Sequence, residues 1–440
     1  MRLIDSLTTT PVLADLFSDR SVLGAMLDFE AALARVEARI GVIPHDAAET
    51  IAKAAAAESF DTAALARDSQ RAGTPAIPLV KALTEGVRAL NANAARYVHW
   101  GATSQDVCDT SMILLLKRAR PIFEADHRRL IRALGNLSEE HKDSVMLGRT
   151  LLQPAPPVTF GLTASGWKAA AERGWSRVDG RFSEALILQF GGASGTLAAL
   201  GDKGTAVGEA LAQDLDLRYP GAPWHAYRDR IAALLAACGV ETGSLGKIAR
   251  DIALLMQSEV GEAFETGDDA GRGGSSTMPH KQNPVGCALA LAAAQRVPGL
   301  VASYLSGMIQ EHERGIGGWQ AEWPTISGVI QCTGAALSAM AEVAEGLKVD
   351  PVRMRANIGA TRDFVFAERV MMALGASMGR DAAHRLVQQA SRQSIAGQRG
   401  LIEVLSTMPE VTSVIPPEIL RTFDTPEDYL GAAEEFRKRQ

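Results

Sequence analysis

The feature that most constrains this chain is a set of apolar series advancing by alternating threes and fours. Val22, Met26, Phe29, Leu33, Val36 and Ile40 form the first. That spacing predicts a helix with one buried face. Ser18 stands where it can cap the start, and Gly41 and Pro44 follow Ile40 in the order expected at a helix stop. Met112, Leu116, Ala119, Phe123, Leu130, Ala133 and Leu137 make a second series, interrupted by Pro121; Ile231, Leu235, Cys238, Leu245, Ala249, Ile252 and Met256 make a third. Helices this long, repeating near 3.5 residues, predict a bundle. No period-two run of β-branched or aromatic residues is long enough for a central sheet, so the βαβ nucleotide-binding architectures are excluded. Composition agrees: 47% of residues are hydrophobic but only 5% aromatic, leaving mostly aliphatic, alanine-rich apolar positions that favour helix.

The expected class is therefore all-α. At roughly 100–200 residues per domain, 440 residues make two to four domains. A Gly-Ala-Thr-Ser loop ahead of the second series and Val349-Asp350-Pro351 near residue 350 mark the breaks. We read three helical parts: residues 1–110, residues 111–350 holding the long helices, and residues 351–440. No repeat of solenoid length is visible.

Forty-five basic against 51 acidic residues give a net charge of −6, with no polybasic footprint to recommend nucleic acid or an anionic membrane as partner. Cys108, Cys238, Cys287 and Cys332 lie far apart and form no zinc-ligand spacing, and Glu311-His312-Glu313 lacks the HExxH spacing. Reduced, mostly buried thiols in a cytoplasmic protein are expected. The first ten residues lack the apolar region of a signal peptide, and no run of 18 apolar residues occurs, so a soluble protein is expected.

Between Gly267 and Pro284 the pattern breaks. GDDAGRGGSSTMPHKQNP carries four glycines and almost no apolar side chains, so it is a loop. No GK[ST] follows the glycines, which argues against a phosphate loop. Asn283 and Pro284 suit the N-cap and first turn of a helix over 285–295, and Lys281 then precedes a helix N-terminus whose amides favour an anion.

The string Gly274-Ser275-Ser276-Thr277-Met278-Pro279-His280-Lys281-Gln282-Asn283-Pro284 resembles the signature GSSxMPxKxNP of the fumarase/aspartase superfamily. Two further blocks resemble that superfamily: His99-Trp100-Gly101-Ala102-Thr103-Ser104-Gln105-Asp106 and Gly148-Arg149-Thr150-Leu151-Leu152-Gln153-Pro154. Position 151 departs from the pattern. Fumarate-forming relatives carry a histidine there that protonates the leaving group, and leucine transfers no proton. A carboxylate leaving group needs none, because its conjugate acid has a pKa of about 4. GRT followed by an apolar residue, HWGATSQDVCDT, QPAPPVTFG and the run from His312 to Trp323 resemble the bacterial 3-carboxy-cis,cis-muconate cycloisomerase branch. Alternatives within the resemblance are an adenylosuccinate-type lyase releasing fumarate and a catalytically silent structural relative.

The resemblance implies a central long-helix bundle, a homotetramer whose active sites are shared between subunits, a small tricarboxylate substrate and no cofactor. It implies Ser275 as proton carrier, with Ser276 its rival, and Lys281 beside it to stabilise the aci-carboxylate intermediate and the serine alkoxide. It further implies that His99, Thr103, Ser104, Thr150, Gln153, Asn283 and Arg314 bind substrate, Arg314 by a bidentate carboxylate contact. His141 is either structural or auxiliary.

Overall fold

The computed structural model describes residues 2–266, 273, 274, 278 and 281–440. Helix α1, Asp19–Ile40, realises the first apolar series. Ser18 Oγ accepts from the Ser21 amide at 3.3 Å, and Gly41 closes the helix at φ +73°, a conformation glycine takes without Cβ strain. Leu23, Met26, Phe29, Leu33 and Val36 are buried along one face, with Val22 and Ile40 half-buried at its ends.

Further long helices follow: α2, Ser104–Glu140; α3, Phe160–Ala185; α4, Asp229–Leu255; α5, Val285–Ser306; and α6, Gly318–Gly346. Helix α2 has 37 residues, about 55 Å at 1.5 Å per residue, and it contains Pro121. It starts eight residues before Met112, so the break falls at Gly101–Thr103 and Ser104 lies in the first turn. Among the described residues the few strands form two small antiparallel pairs rather than a central sheet: β1, Val145–Thr150, with β2, Gln153–Thr159, and β3, Ala263–Phe264, with β4, Lys348–Val349. Helix α7, Pro351–Ala360, begins at Asp350, whose Oδ1 accepts from the Arg353 amide at 2.9 Å.

The chain divides into two compact units. One comprises residues 1–128, 173–246 and 288–339; the other comprises 129–172, 247–287 and 340–440. The core of the first is aliphatic, built around Phe29, Leu33, Leu79, Leu83, Leu188, Phe190 and Leu211. The second has a core of Val370, Leu374, Leu401, Leu405 and Leu420 in its last helices. A smaller cluster of Val145, Leu147, Ile358 and Phe366 seats β1 against α7. All four cysteines are buried.

Although no unbroken apolar run reaches 18 residues, α4, α5 and α6 are long and apolar enough to cross a membrane by length and composition, because alanine and glycine fill the gaps between larger residues. Most of the apolar window is inside the fold in α4 and α6, at 61% and 72%. In α5 only 33% is covered, which leaves Ala288, Ala292, Pro298, Ala302 and Leu305 exposed along it.

Candidate active site

In the first unit the segment 99–106 turns sharply into α2. His99 stands at φ +59° and Gly101 at φ +72°; a Cβ on Gly101 would lie 2.7 Å from the Leu200 side chain, so the turn accepts no larger residue. Thr103 opens the helix, its carbonyl accepting from the Asp106 amide at 3.0 Å. The Asp106 carboxylate, fully buried, is saturated by four donors. Its Oδ1 takes Gly191 N at 3.0 Å and His225 Nε2 at 2.7 Å, and its Oδ2 takes Gly192 N at 2.9 Å and Thr103 N at 3.1 Å. One side chain thus clamps the 99–106 block to the turn at Gly191-Gly192.

Arg314 completes this cluster. It donates to Thr103 Oγ1 at 2.8 Å, to Ala193 O at 2.9 Å and to Gly192 O at 3.3 Å. All three acceptors are neutral, and Glu311 is engaged by the Ile316 amide instead. The guanidinium is therefore fixed with its charge uncompensated by these contacts, as an anion-binding group needs. His99, half-buried, donates from Nδ1 to Glu30 Oε1 at 2.6 Å. Burial acts to strip its proton, but the charge and hydrogen bond of Glu30 and the charge of Asp106 outweigh that and raise its pKa above the ordinary histidine value.

Beneath the cluster lies a buried ion network absent from the sequence reading. Arg228 pairs with Asp109 at 2.7 Å and Glu322 at 2.6 Å, all essentially inaccessible, and stacks 4.7 Å over Trp224. Trp319 Nε1 and Gln189 Nε2 donate to Asp109, and Tyr304 and Gln310 to Glu322. Trp319 and Glu322 lie in the run 312–323, so that motif contributes buried polar supports as well as Arg314. The signal was a charged residue recurring inside apolar helical spacing.

The second unit holds the other candidates. β1 and β2 are joined by the two-residue turn Leu151-Leu152, both at positive φ, +51° and +63°, with Thr150 and Gln153 paired at its base. This is the backbone of a type I′ turn, which normally calls for Asn-Gly. Leu151 is 97% exposed and Leu152 73%. Arg149 anchors the hairpin through Glu262 at 2.6 and 2.9 Å, and Asn357 Nδ2 binds the same carboxylate. His141 packs edge-on against Phe160 and bonds Ser144, a packing role; burial lowers its pKa despite Glu140.

Two expectations about the loop stem are corrected. The amides of Gly286 and Cys287, which open α5, are not free for an anion: Glu265 accepts both, at 2.9 and 2.8 Å, as an internal cap. Asn283 is not the cap either. Its amide and its Nδ2 both donate to Gly273 O, at 2.8 and 3.0 Å, closing the loop on itself. Gly273, at φ +78°, permits this approach, since a Cβ there would meet Asn283 O at 2.7 Å. Lys281 is exposed and, with Asn283, Met278, Phe264 and Gln257, lines a cavity of about 540 Å³. Ser275 and Ser276 lie outside the described residues. Thus Thr103 and Arg314 meet directly, with Ser104 adjoining, and Lys281 and Asn283 share a cavity. Among the described residues of the second unit, no hydrogen bond joins Thr150 or Gln153 to that pair.

Against known families, residues 6–299 match the lyase family and residues 363–440 the adenylosuccinate lyase C-terminus. A 3-carboxy-cis,cis-muconate cycloisomerase from Bradyrhizobium diazoefficiens is 48% identical over 98% of this chain and 97% of its own. One from Pseudomonas aeruginosa is 47% identical over 100% and 95%. The crystal structure of 3-carboxy-cis,cis-muconate lactonizing enzyme from Pseudomonas putida superposes with a TM-score of 0.93 at 45% identity, covering 100% of this chain and 98% of that one.

Proposed function

Because the chain belongs to the lyase family, among relatives that are 3-carboxy-cis,cis-muconate cycloisomerases, we propose that it lactonises 3-carboxy-cis,cis-muconate. The observation that carries this reading is Leu151. It occupies the position where fumarate-releasing relatives need an acid, and it stands at the tip of the strained, apolar β1–β2 turn. A leaving carboxylate dispenses with that acid.

In the lactonising direction a substrate carboxylate oxygen adds to the conjugated double bond. The electron pair moves to the carbon beside another carboxylate, and that carbon takes one proton. Lys281 stabilises the resulting aci-carboxylate, and Ser275 delivers the proton. Arg314, held on Thr103 with its charge uncompensated, binds one carboxylate; His99 and Ser104 bind another. Thr150 and Gln153, flanking the Leu151-Leu152 turn, contact substrate from the hairpin. Asn283 acts through its two bonds to Gly273, shaping the loop around Lys281.

The active unit in this account is a homotetramer with shared sites. Two supports are the uncovered apolar length of α5 and the exposed Leu151-Leu152 tip, each costly in water and each relieved by packing on a second copy. Four buried cysteines fit the reducing cytoplasm. The test is direct: purified protein should bleach the ultraviolet absorption of 3-carboxy-cis,cis-muconate and release no fumarate, and Ser275→Ala should abolish bleaching. Fumarate release from another substrate without bleaching would select the adenylosuccinate-type alternative.

A further inference from the structure

Helix α1 buries two glutamates on its core face, Glu30 and Glu37, where an apolar side chain would serve packing better. Glu30 Oε1 meets His99 Nδ1 at 2.6 Å, and among the described residues neither its Oε2 nor either oxygen of Glu37 has a hydrogen-bond partner. Burial first, and then the charge of Glu30, push Glu37 up to about 9, so Glu37 is protonated at neutral pH. His99 in turn stands at φ +59°, a left-handed conformation uncommon for a residue with a Cβ. A buried carboxylate with one partner, and that partner in a strained turn beside Thr103 and Arg314, has a purpose beyond filling the core.

We propose that Glu30 is a positioning residue for substrate binding: its carboxylate fixes the His99 ring through Nδ1 and favours its protonated form, so that Nε2–H donates to a substrate carboxylate. This rests on the reading that His99 contacts the substrate. The charged and titratable groups around the pair are Glu30 and Glu37 on α1, Asp106 on α2 with its partner His225, and Arg314 bound to Thr103. Asp106 is already saturated by four donors, so Glu30 alone makes the direct bond to His99.

The sign follows from the forces on His99. With Glu30 in place its charge and bond outweigh burial; with a neutral glutamine burial prevails, and the imidazole loses its proton at a lower pH. The test is Glu30→Gln in the full-length enzyme, with unfolding midpoint and oligomeric state checked against the parent. The pH above which KM for 3-carboxymuconate climbs should fall, so that at pH 8 the variant's KM exceeds the parent's several-fold with kcat changed much less. Lowering the pH should restore KM, which a merely structural defect would not do. Carbon-13-labelled histidine, with His99→Gln identifying the resonance, reads the ionisation of His99 without substrate. An unshifted His99 titration with an unshifted KM profile would overturn the proposal. A shifted titration in a protein whose parent does not turn over 3-carboxymuconate would uphold the Glu30–His99 coupling and refute the substrate reading instead.

Discussion

Replacing Asp106 with asparagine isolates what the clamp between the 99–106 block and the Gly191-Gly192 turn contributes. The aspartate accepts from Thr103, Gly191, Gly192 and His225, all within 3.1 Å and all but the Thr103 contact fully buried. Asparagine has one acceptor oxygen and a donor NH₂; with that NH₂ on the side of Thr103 and Gly192, both amides lose their partner and face another donor. Hydrogen bonds to a buried charged group are worth about 1.5–3 kcal/mol each, so the variant should lose about 3–6 kcal/mol. The same change frees Thr103 and Gly192, both acceptors for Arg314. A displacement of about 1 Å at a positioned group costs about 10²-fold in rate, and kcat/KM should fall on that order. Denaturant unfolding with enzyme assay on the surviving folded fraction separates the two effects. A variant within about 1 kcal/mol of the parent, with kcat/KM within a few-fold, would refute the view that Asp106 holds this side of the site together.

Three other outcomes follow from particular contacts. Replacing Leu151-Leu152 by Asn-Gly should relieve strain of about 1 kcal/mol or more per residue within the hairpin while lowering turnover and weakening association, read by sedimentation and steady-state kinetics; unchanged assembly would count against a role for the tip between copies. Glu265→Ala should cost about 1–2 kcal/mol by leaving the Gly286 and Cys287 amides uncapped, and should raise KM by loosening the stem that carries Lys281 and Asn283. Glu37, protonated when folded and ionised when unfolded between about pH 4.5 and 9, makes the native state lose up to about 1.4 kcal/mol per pH unit across that window. Glu37→Gln should therefore stabilise the protein more at pH 8 than at pH 5, and an equal effect at both would show that Glu37 is ionised in the fold.

The helical architecture was legible because helix ends and apolar faces are local properties: Ser18, Gly41 and the series between them specify α1 without reference to the rest of the chain. The site's residues were legible only as motifs, and their partners were not. Asn283 reads as a cap from its neighbours in sequence, but capping is a competition, and Glu265 wins it from the other side of the loop. Asp106 stood inside a quoted block, yet its role depends on Gly191, Gly192 and His225, more than eighty residues away. Glu30 and Glu37 sit within an apolar series, a placement that hints at burial, but nothing local shows that Glu30 meets His99, 69 residues away. The Leu151-Leu152 turn escaped notice because a type I′ turn is ordinarily announced by glycine and asparagine; its hydrophobic residues accept strain that pattern reading does not foresee.

The central claim is intramolecular addition of a carboxylate with delivery of one proton to carbon. Running the reaction in deuterium oxide and examining the product by nuclear magnetic resonance tests it most directly. The account predicts a lactone isomeric with the substrate, carrying one deuteron on the carbon next to the carboxylate, formed by the parent enzyme and not by Ser275→Ala. A product without carbon-bound deuterium, or fumarate in place of the lactone, would contradict it.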